Sequence, residues 1–384
     1  MVANLIKIYK ILENKGEEME KDRFSIKDSE KLKGIAIILM LMHHLFLDRS
    51  VFESYGVIFK MLSSDRIRNI SWFGKECVAI FAFISAYGIT KSYLKDKKNR
   101  GWFVNRAFKL YKGFWFIYIL ALVISIITNR IPYRCGNPFL TTVYAVIDFF
   151  GLNNIFGSPS LNGAWWYMEI ALEIIVLIPI LDKIYDKIGC AATLILALVL
   201  PKILGVNYLG LPANGNNSFV AFFMIIVLGV ACAKYNLMER VITYIESGSL
   251  WKKICFFLIN TLFLYFGYHL FIALPVNQFY DINYGLVAFV LIIWLRLYVI
   301  NIPVVSQILS ILGKHSMNIY LVHIFIRSTY AQDFTYGFRY WELILLFLLT
   351  SSLIISIVIE RIKRVIRYDY TMDKLCEAIQ NNGN

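Results

Sequence analysis

The stretch Lys31-Leu-Lys-Gly-Ile-Ala-Ile-Ile-Leu-Met-Leu-Met-His-His-Leu-Phe-Leu-Asp48 decides how the rest of the chain is read. It is an apolar helix with a cation at its mouth and two adjacent histidines, His43 and His44, inside it. At ~100° and ~1.5 Å per residue, the steps from Lys33 to His44 make about three turns plus ~20°, a rise of ~16 Å. Lys33 and His44 therefore share a face, one at the edge and one deep, while His43 points ~80° away from Lys33. An ionisable residue deep in an apolar span is costly, and so marks a functional hypothesis.

Working outward, the composition is that of an integral membrane protein. The 384 residues are 58% hydrophobic, with only 17% charged, and the mean hydropathy is +0.60. Long apolar runs with short polar breaks extend from residue 34 to about 360, leaving no room for a separate soluble domain. The expected organisation is a polar cytoplasmic lead-in over 1–33, one membrane domain over 34–360 and a basic cytoplasmic tail over 361–384. The net charge of +13 serves topology and contact with anionic membrane lipids better than it serves nucleic-acid binding. Six scattered cysteines show no CxxC and no Cys/His cluster, so neither a disulfide framework nor a metal site is expected. Residues 1–30 have mixed charge and no apolar core, so the first apolar helix is expected to act as an uncleaved anchor.

Ten spans are expected, at about 34–48, 72–93, 107–128, 164–182, 188–204, 218–235, 252–272, 283–300, 308–327 and 342–360. The run 139–152 is short and contains Asp148, and reads as an interfacial or re-entrant piece. With this count and an inside N-terminus, 29 of the 39 Lys and Arg residues fall on the inside. That bias predicts an all-α polytopic bundle with both termini in the cytoplasm. The expected outer loops carry aromatics and turn residues around Asn207-Tyr208, Pro212–Asn217, Pro275–Tyr280 and Tyr330–Trp341. Such aromatics act as interfacial anchors or as platforms for sugar rings.

Several clusters carry candidate chemistry. Asp48, at i+4 from His44, is expected to orient its imidazole, which would then accept a proton from a hydroxyl nucleophile. His43 is the weaker candidate of the pair on geometry. Lys31 reads as a topogenic charge, whereas Lys33 shares the His44 face and suits an anion such as a phosphate. Arg106 and Lys109, a turn apart in Arg100-Gly-Trp-Phe-Val-Asn-Arg106-Ala-Phe-Lys109-Leu-Tyr-Lys112, form either a positive-inside anchor or a phosphate-binding rim. Trp166, Glu169 and Glu173 open the fourth span. The two carboxylates either meet substrate or pair with buried cations such as Arg296 or Arg327. His323 and Arg327 share a face at i,i+4, suited either to interhelical hydrogen bonding or to a site. His269 has no patterned neighbours and reads as structural.

These clusters, in this order, resemble the acyltransferase-3 family of integral membrane acyltransferases. Lys33-Gly34-Ile35-Ala36 with His44 is similar to the family's opening motif, an Arg followed eleven residues later by a His. Gly74 to Ile89 resembles its second-span block, and Arg106-Ala-Phe-Lys109-Leu-Tyr its Arg-x-x-Arg-x-Tyr motif. Trp165-Trp166-Tyr167-Met168 resembles its Trp-rich entry, and Leu312 to His323 its ninth-span block. The resemblance covers roughly residues 28–360. Lys33 and Lys109 stand where the family usually has Arg, keeping the charge but losing the bidentate fork.

The resemblance implies a catalytic role for His44 and transfer of an acyl group, with acetyl-coenzyme A as the expected donor. The implied acceptor is a sugar hydroxyl of a cell-envelope glycan or its lipid-linked precursor, in the bacterial cytoplasmic membrane. The donor's phosphates would sit near Lys33, Arg106 and Lys109, with Trp166, Glu169, Glu173 and His323 available to the acceptor. No permanently bound cofactor is expected. The competing classes are a transporter or flippase of a lipid-linked sugar, which would also use buried charges, and a structural subunit of an envelope-synthesis complex.

Overall fold

The computed structural model describes residues 23–97, 101–204, 219–273 and 281–382. The expected loops around Asn207, Pro212–Asn217 and Pro275–Tyr280, the cluster residue Arg100 and most of the 1–33 lead-in lie outside these. Every named element among the described residues is a helix. In chain order they begin with α1 (Ile26–Phe46), α2 (Arg49–Ser54), α3 (Ser64–Phe73), α4 (Glu76–Lys95), α5 (Trp102–Ile127) and α6 (Pro138–Phe149). Then come α7 (Tyr167–Leu204), α8 (Phe219–Tyr235), α9 (Leu237–Glu246), α10 (Leu250–Ala273), α11 (Ala288–Tyr298) and α12 (Pro303–Lys314). The chain closes with α13 (Ser316–Ile324), α14 (Trp341–Val365) and α15 (Tyr368–Asn382).

The first helix starts and stops for local reasons. Ser25 caps it in a capping box, its side chain accepting from the Asp28 amide while Asp28 takes the Ser25 N–H at 2.9 Å; this satisfies the donors a helix start leaves open. At the far end α1 stops at Phe46, and Asp48 caps α2, its carboxylate accepting from the Ser50 amide at 3.0 Å and hydroxyl at 2.7 Å. The expected i,i+4 relation between His44 and Asp48 does not form, because Asp is a strong N-cap and the helix ends before reaching it.

Helix α1 is held close to α12 by two glycines. A Cβ on Gly34 would run into the Leu309 backbone carbonyl, and one on Gly313 into the Glu30 carbonyl. Each glycine lets the partner backbone approach, as small residues do between membrane helices. The rest of α1 packs on α3, α4, α13 and α14, burying Leu32, Ala36, Ile37, Leu41 and Phe46. It is the central helix of the bundle.

The apolar faces that stay outside confirm the membrane reading. α10 buries only Gly267 and Phe271, while Ile259 and Phe266 are 67% and 61% exposed. A soluble surface does not tolerate such a stripe; lipid does. Four helical stretches, Ser64–Lys95, Trp102–Ile127, Leu250–Ala273 and Trp341–Val365, are long and apolar enough to cross a bilayer. Counting the pair α8 and α9, bent by 74°, as one broken span makes five.

The described helices therefore do not establish a count of ten, and the reason lies in breaks. The expected span 283–300 is π-helical over Asp281–Val287 before α11 begins. The span 308–327 is divided at His315 and turns π-helical over Phe325–Tyr330. Spans four and five form one run, α7, broken at Gly189, whose φ of 81° suits glycine. The run 139–152 is a helix of 12 residues, ~18 Å long and too short to cross ~30 Å of hydrocarbon. Asp148 in it is buried, taking the Leu161 amide at 2.9 Å and the Tyr133 hydroxyl.

Segments that the charge count places on one side do meet one another. Arg23 pairs with Glu246 at 2.8 Å, Lys97 with Asp186 at 3.5 Å, Lys234 with Asp186 at 2.6 Å and Lys112 with Asp373 at 2.9 Å. At the other end Arg49 pairs with Asp65 at 2.9 Å, and the Ile58 amide donates to the Arg339 carbonyl at 2.7 Å. The C-terminal α15 thus lies against the first half of α5.

Candidate active site

A cavity of about 340 Å³ opens between α1, α4, α13 and the entry to α7, within the range of small-ligand sites. From α1 it is lined by Lys33, Met40, His43 and His44, positions that fall on one broad helix face. The reading that Lys33 and His44 share a face is what the structure shows. His43 reaches the same cavity, since an ~80° offset still lies within that face.

The two neighbouring histidines are fixed by carbonyls. His43 Nδ1 lies 2.9 Å from the Ser71 carbonyl, and His323 Nδ1 lies 2.8 Å from the Tyr320 carbonyl. A carbonyl only accepts, so each Nδ1 carries the proton and each Nε2 is left as an acceptor. His323 is fully buried behind His44, their ring centroids 4.8 Å apart; those of His43 and His44 are 5.3 Å apart. The C-terminal carbonyls of α1 are held as well. Arg327 donates to the His44 carbonyl at 2.5 Å and the Tyr336 hydroxyl to that of Leu45 at 2.9 Å, satisfying acceptors that the helix end leaves open.

The opposite wall is the Trp-rich entry. Trp165 Nε1 and Asn162 Nδ2 both donate to the Leu321 carbonyl, at 3.1 and 3.0 Å, and the Tyr320 hydroxyl donates to the Ala164 carbonyl at 2.7 Å. These bonds clamp residues 162–165 onto α13 and turn Trp166 and Tyr167 into the cavity. Trp166 lies nearly parallel to Phe222, at 22° with centroids 6.3 Å apart. Its face is thus a supported apolar platform.

The remaining sequence candidates divide. Arg106 is half-buried and one turn before Leu110, which lines the cavity, so the two share a face. Lys109 is exposed, and neither it nor Arg106 is itself among the lining residues. Glu169 accepts from the Ile155 amide at 2.9 Å and from Asn154 at 3.4 Å, bracing the loop before the entry. Neither Glu169 nor Glu173 lines the cavity. The expected pairing of these carboxylates with Arg296 or Arg327 is not what those cations do: Arg296 pairs with Asp28 at 3.2 Å, and Arg327 is spent on the His44 carbonyl. Asp48 is exposed, and the Ser50 hydroxyl beside it holds its carboxyl below the usual carboxylate value. It faces Ser50 rather than the His44 ring.

Sequence reasoning missed Lys75, Cys77 and Ser85 on α4, all of which line the cavity. Lys75 was legible only as one more basic residue in an outer loop. The available signal was its place, immediately after Gly74 and at the N-cap of a long apolar helix.

Residues 28–361 match the family model of the acyltransferase-3 type, described as an acyltransferase domain. The chain belongs to that family. It is accordingly a multi-pass helical membrane protein and an acyltransferase. No curated protein and no solved structure is significantly similar to it.

Proposed function

We propose that the protein moves an acyl group, an acetyl group by preference, from acyl-coenzyme A to a sugar hydroxyl of a cell-envelope glycan or its lipid-linked precursor, in the bacterial cytoplasmic membrane. The observation that carries this reading is that one cavity is lined by both Lys33 and, three turns further along α1, His44. A cation at the mouth suits the donor's phosphates, with Arg106 adjoining on α5. The thioester then lies along the α1 face towards His44. Trp166 offers the sugar a flat apolar surface of the kind its C–H faces pack on.

In the transfer step a neutral His44 nitrogen takes the proton of the acceptor hydroxyl. The oxygen attacks the thioester carbonyl, the carbon–sulfur bond breaks, and the coenzyme A thiolate leaves and is reprotonated. His323 takes the orienting role that sequence spacing gave to Asp48. Its Nε2 is an acceptor facing a protein interior and has no hydrogen-bond partner among the described residues. It is therefore suited to receive the other N–H of His44 as charge develops on that ring. The test in cells is acetate incorporation into envelope glycan in a strain carrying His44→Ala. Loss of glycan acetate at normal protein level is expected, and unchanged acetate sinks the proposal.

A further inference from the structure

Two hydroxyl groups in the cavity have no full-strength partner among the described residues. Ser85 on α4 and Tyr167 at the start of α7 both line it, and their oxygens face each other at 3.4 Å. A hydroxyl pair in full contact closes to roughly 2.5–3.0 Å, so each oxygen keeps most of its bonding capacity. Comparable groups elsewhere in the bundle are better satisfied. Tyr118, Tyr185, Tyr320 and Tyr336 each donate to a backbone carbonyl, at 2.8, 2.9, 2.7 and 2.9 Å. Ser310 and Ser351 turn back onto the carbonyl four residues earlier, at 2.8 and 2.6 Å, as helical serines commonly do. Ser85 instead turns away from its own helix, towards Tyr167.

Helix packing puts this pair on the Lys33 side of the cavity. A Cβ on Gly74 would fall 2.7 Å from the Leu39 carbonyl oxygen and 3.4 Å from His43 Cβ. Further along α4, Phe83 and Tyr87 meet the ring of Phe24, just ahead of α1. The two helices therefore run antiparallel, and Ser85, eleven residues past Gly74, lies ~16 Å along α4 from the histidine level. Between the two levels the α4 face carries Val78 and Phe81, which with Met40 of α1 give the cavity an apolar wall. The Tyr167 ring is braced by Phe81 and Tyr320, with centroids 6.0 and 6.1 Å away.

An ammonium, then a neutral hydroxyl pair, then an apolar wall matches the arm of coenzyme A in the same order. That arm joins the phosphates to the sulfur through about 13 bonds, ~16 Å when extended at ~1.2 Å per bond. The rise from Lys33 to His44 is also ~16 Å. With the phosphates on Lys33 and the thioester at His44, the arm lies extended and its first amide falls near the Lys33 end. An amide in such a place is costly to bury unless it finds a hydrogen bond. We propose that Ser85 and Tyr167 bind this amide, each hydroxyl donating to its carbonyl oxygen, which can accept two bonds. The contact holds the arm extended so that the thioester reaches His44. The proposal rests on the acyl-transfer reading above and adds to it the residues that recognise the donor's arm.

The experiment is titration calorimetry on the full-length protein in detergent micelles, and it needs no acceptor. The ligands are coenzyme A and adenosine 3′,5′-bisphosphate, which keeps the nucleotide but lacks the arm. Tyr167→Phe and Ser85→Ala should each weaken coenzyme A about fivefold, the size of one neutral hydrogen bond, and leave the nucleotide within about twofold. Unchanged coenzyme A affinity in both variants overturns the proposal, as does an equal loss for the two ligands. If the nucleotide binds the wild type too weakly to measure, coenzyme A alone decides. Weaker binding by a variant with the wild-type unfolding temperature then supports the contact, and unchanged binding overturns it. Tyr167→Phe keeps the ring that packs on Phe81 and Tyr320, so it serves should Ser85→Ala not fold. Coenzyme A binding that ignores both hydroxyls rejects this contact alone. No binding of coenzyme A by the wild type rejects the acyl-coenzyme A reading as well.

Discussion

The imidazole rings of His44 and His323 face each other with centroids 4.8 Å apart and planes tilted by 44°. His323 is fully buried and its Nδ1 is committed to the Tyr320 carbonyl at 2.8 Å, so it presents only an acceptor to its surroundings. In the proposed mechanism this contact, between the first helix and one near the end of the chain, makes His323 on α13 the orienting group for His44. Replacing His323 with Gln should lower kcat about tenfold while leaving KM for the acyl donor within about twofold. Asp48→Ala should cost less activity than His323→Gln and act on stability, through loss of the α2 cap, by about 1 kcal/mol. Steady-state kinetics and thermal unfolding of the purified variants test the order. A larger kcat loss in Asp48→Ala than in His323→Gln reverses it.

The inner mouth separates Arg106 from Lys109. Arg106 is half-buried one turn before the cavity-lining Leu110, whereas Lys109 is exposed. Arg106→Ala and Lys33→Ala should each raise KM for acyl-coenzyme A about tenfold, the size of one lost charge-assisted contact. Lys109→Ala should change it less than about twofold. Titrating the donor at saturating acceptor gives the comparison, and equal effects at 106 and 109 contradict the assignment.

The Gly34–Leu309 and Gly313–Glu30 contacts predict a backbone-level sensitivity. An Ala at either glycine puts a methyl group into a carbonyl that cannot move aside like a side chain. Each substitution should destabilise the protein by about 1–3 kcal/mol. The double variant should cost less than the sum, since one separation of α1 from α12 relieves both contacts. Unfolding in detergent monitored by circular dichroism measures this; full additivity would argue that the two contacts are independent.

Asp186 joins Lys234 at 2.6 Å and Lys97 at 3.5 Å. Its hydrogen bond with Lys234 holds its carboxyl below the ordinary value. A depressed folded-state value stabilises above the unfolded pKa of about 4 and is lost as pH falls through the folded one. Asp186→Asn should therefore lower the unfolding temperature at pH 7, with the gap from wild type closing below about pH 4. A gap that widens on acidification would contradict the pairing.

Much of the centre was legible because it is local. Lys33 and His44 fall on one face by helical arithmetic, and both line the cavity. The Trp165-Trp166-Tyr167 entry showed as an aromatic cluster at a helix start, and Trp166 does line it. What failed depended on where helices end. Asp48 looked like a partner only while α1 was assumed to continue, and the spans near 283 and 308 looked whole because π-helical turns leave no mark in hydropathy. What could not be read at all was pairing between distant segments. His323 reaches His44 only through the packing of α13 on α1, and Lys75 enters the cavity only because Gly74 lets two backbones meet.

The central claim is that His44 carries the acyl transfer, and its most direct measurement is the release of coenzyme A thiol from acetyl-coenzyme A by purified full-length protein, wild type against His44→Ala, with an acceptor sugar present. The expected result is steady release by the wild type and a loss of about 100-fold to 10,000-fold in the variant, with the same unfolding temperature within a few degrees. Thiol release by a folded His44→Ala variant at the wild-type rate would contradict the account.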